Sequence, residues 1–210
     1  TDTLLAYELA LRVARNTKGL VLPALPLGYS WVWRDYPGTL TLELNTFLQV
    51  IKDIASSLSR AGVKALLILS GHGANQQPLK YAVRELVDEC SLEILYLFYP
   101  GLEKAISGQL RSPRWRSDDF HADEIETSLL LAVRPDLCLM DRAIAEYPAT
   151  PQHYGRSALS MGKLTRSGVF GDATAADAVR GGQWLDAVAQ EMARLWEEFL
   201  IGVNPSTSSG

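Results

Sequence analysis

Eight residues, Val63 to Ser70, limit the folds open to this chain. The run is apolar, of strand length, and leads straight into the turn Gly71-His-Gly-Ala-Asn75. A strand that is apolar on both faces must be covered on both, as strands inside a parallel sheet are. Its neighbours carry helical spacing. Phe47, Leu48, Ile51, Ile54, Ala55 and Leu58 precede it, with Asn45 as the expected cap and a stop near Gly62. Leu79, Val83, Leu86 and Val87 follow, capped by Asn75, with Pro78 in the tolerated first turn. Leu92 to Tyr99 gives a second strand of the same kind. At the front, Thr3 can cap a helix carrying Leu4, Leu5, Leu9 and Val13; Gly19 stops it, and Leu20 to Leu25 reads as a short buried strand. Loops are expected at Pro26–Gly38 and Pro100–Phe120, and helices at Ala122–Val133 and Ala175–Leu200. Leu139 to Ala173 lacks periodicity. Strands alternating with helices predict βαβ units in an α/β fold, a three-layer α/β/α sandwich with a mostly parallel sheet. Residues 1–203 form one expected domain, and the polar tail 204–210 is expected to be disordered.

With 24 acidic and 20 basic residues the net charge is −4, and no Lys/Arg block occurs, so a nucleic-acid partner is not expected. No apolar run approaches the roughly 20 residues of a membrane span. Thr1 to Tyr7 shows no signal-peptide pattern, and the only two cysteines, Cys90 and Cys138, make no disulfide framework. A cytoplasmic location is the expectation.

In sheets of this kind function gathers in loops at the carboxyl ends of the strands. Two such loops hold His72 and His121, two of the three histidines; the third, His153, is read as a surface residue beside Tyr154. Gly71 and Gly73 let the backbone turn sharply around His72, which stands equally well as an incidental residue of a tight turn. Gln76 stands where a dinucleotide fingerprint needs its third glycine, and a phosphate loop would need a lysine. Ser70 lacks the Gly-x-Ser-x-Gly frame of a nucleophile elbow. In the second loop, His121 and Glu124 share a face if the helix has begun by His121, and Glu126 falls on another. Acids at a helix N-terminus also complement its dipole, which by itself explains Asp123, Glu124 and Glu126. A neutral His121 can serve as base or ligand. Two histidines with nearby carboxylates form an N/O set of the kind that binds zinc, manganese or iron.

These loops resemble the creatininase (creatinine amidohydrolase) family. Gly71-His-Gly-Ala-Asn75 is close to its Gly-His-Gly-Gly-Asn, and His121-Ala-Asp-Glu-Ile-Glu-Thr-Ser128 to its His-Ala-Gly-Glu-x-Glu-Thr-Ser. Tyr36-Pro-Gly-Thr39, Arg134-Pro-Asp-Leu137 and Gly168-Val-Phe-Gly-Asp172 also fall in order. The resemblance implies an α/β/α amidohydrolase that uses a divalent metal (zinc, manganese or iron, two per site) to cleave a C–N bond in a small cyclic amide, formamide or peptide-like substrate. It implies a homo-oligomer, often a hexamer. It places a bridging carboxylate at Asp2 and a metal-binding imidazole at His72, and it makes His121 the acid/base for the leaving nitrogen. Glu124 is expected to complete the metal shell or position water, Glu126 to be supporting or structural, and Gly73 and Asp118 to bind substrate. Trp31, Trp33 and Tyr36 either wall the pocket or pack the long loop.

Two departures qualify the resemblance. Gly73 and Ala74 stand where creatinine-hydrolysing members carry an aromatic residue and a Glu, and Ser117 stands at their tryptophan, so creatinine is not the expected substrate. The family's Glu-x-His ligand motif and first strand lie upstream of the position matched by Asp2, so a longer parent chain is expected. The rival expectation is a non-catalytic scaffold subunit with an incomplete metal site.

Overall fold

The computed structural model describes residues 1–203; the expected disorder of 204–210 falls outside them. Two parallel strands form the centre, β1 (Ala65–Leu69) and β2 (Glu93–Leu97), in register from Ala65 opposite Glu93 to Leu69 opposite Leu97. Alternating side chains divide the core in two. Leu67, Leu69 and Leu97 face α1 (Asp2–Thr17), the short α4 (Leu102–Ile106), α5 (Glu124–Val133) and α6 (Ala178–Val203). Leu66, Ile68, Ile94 and Tyr96 face α2 (Leu44–Arg60) and α3 (Gln76–Leu86). This is the expected three-layer α/β/α arrangement. No helix among the described residues is long and apolar enough to cross a membrane.

The helices form where apolar positions recur at helical spacing. Leu5, Leu9 and Val13 bury the inner stripe of α1, and Phe47, Ile51 and Ala55 that of α2. Burying such a side chain fully contributes roughly 1.5–3 kcal/mol each. Helices α5 and α6 pack closely, and Gly181 is required where they meet: a Cβ there would lie 1.9 Å from the Ser128 carbonyl oxygen.

Local differences from expectation have physical causes. Leu20 to Leu25 is not a strand; Leu20 is fully exposed, and the segment lies across a cleft of about 570 Å³ from β1, with no backbone partner among the described residues. Apolarity alone cannot make a strand without a ladder to join. Neither Asn45 nor Asn75 caps by its side chain: α2 begins at Leu44, and the Asn75 Oδ1 instead accepts the Tyr29 amide at 3.0 Å. The aperiodic stretch from Leu139 contributes β3 (Ala145–Glu146), paired antiparallel with β4 (Gly171–Asp172).

Candidate metal centre and acid–base site

The first turn of α1 and the loop after β1 meet at Gly71, where a Cβ would sit 2.2 Å from the Asp2 carbonyl oxygen. That approach puts the Asp2 Oδ2 3.1 Å from His72 Nδ1. Burial works to raise the Asp2 pKa, but the hydrogen bond and charge of His72 outweigh it, and the carboxyl titrates below its ordinary range. The other imidazole nitrogen, His72 Nε2, is buried with no hydrogen-bond partner among the described residues. Buried polar atoms are normally satisfied, so an unpaired imidazole nitrogen beside a carboxylate marks a ligand position.

His121 comes from the loop before α5. Its carbonyl accepts the Phe170 amide at 3.2 Å, which docks the Gly168–Asp172 segment against it. The next residue, Ala122, has φ +47, a left-handed conformation uncommon outside glycine, and its amide donates to Glu126 Oε2 at 2.6 Å. Glu126 Oε2 in turn lies 3.7 Å from His121 Nδ1. Burial, and next the charge of Asp2, raise the Glu126 pKa to about 7. Burial lowers that of His121 to about 4, with Asp2 and Asp119 pulling the other way. The imidazole is therefore neutral at pH 7. The Trp33 indole stacks on it, centroids 3.7 Å apart at 21°. Tyr99, two residues past β2, is buried with φ +40; burial, then Glu126 and Asp2, raise its pKa well above 10.

The site thus consists of two pairs, Asp2 with His72 and His121 with Glu126. Among the described residues no three His, Cys, Asp or Glu side chains are gathered at metal-ligating spacing. The donor chemistry nevertheless fits a divalent cation: an anionic carboxylate, an unpaired buried imidazole nitrogen, and a second carboxylate within electrostatic reach.

Two expected site residues lie elsewhere. Glu124 is buried, but its oxygens accept the Arg111 and Ser112 amides at 2.8–3.0 Å, the Ser112 hydroxyl at 2.7 Å and Arg180 Nη1 at 2.5 Å. It clamps the loop at 109–112 to α6 and is not offered to a metal or a substrate. The expectation failed because α5 starts at Glu124, after the left-handed Ala122, so helical spacing does not link it to His121. Asp123 is the cap, accepting the amides of Ile125 and Glu126. Asp118 is exposed and bonds Arg116 through both oxygens, at 2.9 and 2.8 Å, rather than facing the site. Gly73 does begin the turn after His72, with the Phe98 ring beyond it. Sequence reading gave Glu126 a supporting role; the structure puts its carboxylate beside His121.

The model of the creatinine amidohydrolase family matches residues 1–196. The creatinine amidohydrolase of Pseudomonas putida is 29% identical over 94% of this chain and 82% of its own length. The mycofactocin precursor peptide peptidase of Mycobacterium ulcerans is 27% identical over 86% of this chain and 70% of its own. A crystal structure of creatinine amidohydrolase superposes with a TM-score of 0.82 at 29% identity, covering 94% of this chain and 82% of that one. A manganese creatininase superposes with a TM-score of 0.78 at 29% identity, covering 94% and 83%. Fold, motifs and site agree, and the chain belongs to the creatininase family of hydrolases.

Proposed function

We propose that this protein is a metal-dependent amidohydrolase that cleaves a C–N amide bond in a small substrate. The observation that carries the reading is the unpaired, buried Nε2 of His72 beside Asp2, across from a neutral His121. Asp2, His72 and Glu126 are the residues that would hold the cation. A bound zinc, manganese or iron ion supplies Lewis acidity toward an amide carbonyl and acidifies water. Support for a divalent metal comes from family members whose structures are described as zinc and manganese forms. Relatives named as an amidohydrolase and a peptidase support cleavage of a C–N bond.

The chain's own groups then manage the proton. His121 Nδ1 faces Glu126 and one ring face is covered by Trp33, so Nε2 is the atom left for exchange. A neutral imidazole can accept the proton of the attacking water at Nε2 and return it to the departing nitrogen, which otherwise leaves poorly. Trp33 covers one face of the ring and Phe170 meets it edge-on, while 31% of the side chain stays open to solvent or substrate.

The test is metal content with turnover. Near-stoichiometric metal by mass spectrometry, lost in His72→Ala, together with hydrolysis of small amides or formamides that His121→Gln abolishes, would establish the reading. Retention of metal by His72→Ala would refute the ligand assignment. The rival, a non-catalytic scaffold subunit, draws on the absence of a gathered three-residue metal set among the described residues. It requires that neither metal nor turnover be found at any metal concentration. In either case we propose a homo-oligomer, hexameric by family resemblance, which sedimentation velocity would test.

A further inference from the structure

His121 has one flat neighbour among the described residues. Trp33 lies parallel to it, whereas Phe170 meets both rings edge-on, 5.7 Å from Trp33 at 77° and 6.0 Å from His121 at 68°. We propose that Trp33 determines specificity, selecting amides whose leaving amine is planar and conjugated; this rests on the amidohydrolase reading above.

The position of the indole is built, not incidental. Its loop is fastened to the His72 turn through the Tyr29 amide, which donates to Asn75 Oδ1 at 3.0 Å. On the other side Tyr36 Oη donates to the Thr165 carbonyl at 2.8 Å, and Ser160 donates to the Asp35 carboxylate. Gly162 packs so closely under Asp35 that a Cβ would come within 2.5 Å of it. The segment that carries the ring is thus held on both sides, which fixes where the indole stands relative to His121.

An indole is larger than an imidazole, so a stack of the two leaves part of the indole face uncovered. A leaving nitrogen bonded to Nε2 lies in or near the imidazole plane, and its substituent extends alongside that fixed aromatic face. A flat conjugated substituent meets the face over its whole area. A saturated, puckered ring of the same size touches it with a few hydrogens. Aromatic pairing beyond area burial amounts to roughly three- to tenfold in affinity, which sets the expected discrimination.

The experiment compares formanilide with N-cyclohexylformamide, which have leaving groups of equal carbon count, on the zinc-supplemented full chain and on Trp33→Leu and Trp33→Phe. Trp33→Leu should lower kcat/KM for formanilide about five- to tenfold more than for N-cyclohexylformamide, through KM, and Trp33→Phe should restore much of the difference. Equal losses on both substrates would overturn the proposal and leave Trp33 as packing for His121. If the parent protein turns over neither compound, both are titrated as ligands by calorimetry. A planar preference that disappears in Trp33→Leu then supports the role of Trp33 while refuting hydrolysis, and equal binding of the two by the parent overturns it.

Discussion

His121 sits in surroundings that oppose its charge, which gives the protein a pH response with a defined sign. The unfolded imidazole takes up a proton below about 6.5, while the folded one, held down chiefly by burial, resists until about 4. The unfolded state binds more protons across that window, so this residue's contribution to stability is lost as pH falls through it. In metal-free protein His121→Gln should flatten the change in urea midpoint between pH 6.5 and 4; an unchanged profile would contradict the burial assigned to the ring. Gly71 is the other sensitive residue. Gly71→Ala drives a methyl to 2.2 Å from the Asp2 carbonyl oxygen. It should destabilise by about 2 kcal/mol or more and reduce metal retention, checked by denaturant titration and metal analysis. His72 and His121 stood out in the sequence because histidine is scarce and both follow strand-like or loop segments. Glu126 did not, because its place beside His121 depends on the left-handed Ala122, a torsion no residue pattern announces.

Among the elements, α5 shows best how support is separated from chemistry. Its first residue, Glu124, holds the 109–112 loop and Arg180 of α6, and its third, Glu126, turns into the site. Glu124→Ala leaves the half-buried Arg180 with only Asp177, at 3.8 Å, and strips the Arg111 and Ser112 amides of their acceptor; it should cost about 2–3 kcal/mol, read as a lowered thermal midpoint. The fraction that stays folded should retain its metal in full, since Glu124 is not among the ligands. Asp123→Ala removes the two capping bonds to Ile125 and Glu126 and should cost about 1 kcal/mol by the same assay. Amphipathic periodicity made α1, α2, α3 and α6 legible, and the apolar runs gave β1 and β2. The short α4 and the two-residue β3–β4 ladder were not legible, since elements of that length carry no period of their own.

At the scale of the whole molecule, burial and hydrogen bonding predict unequal protection. The amides of β1 and β2 lie in the ladder between two core clusters, whereas those of residues 20–27 donate no backbone bonds among the described residues. Hydrogen exchange should therefore be slow in the strands and rapid at Leu20–Leu27, with protection at Leu20–Leu27 counting against the open cleft. The layered architecture was readable from the alternation of periods. The cleft beside β1 was not, because it is set by which backbones meet and not by which side chains are apolar. One contact also fixes an order of events during synthesis. The helix bearing Asp2 packs on α6, with Arg12 bonded to Asp186 at 2.5 Å. Its inner face is covered in part by β1 and α5, and in full only once α6 has also left the ribosome. Asp2 is thus made well before the helix that completes its support, and a nascent chain stalled before residue 178 would carry the Asp2–His72 pair on a helix only partly held.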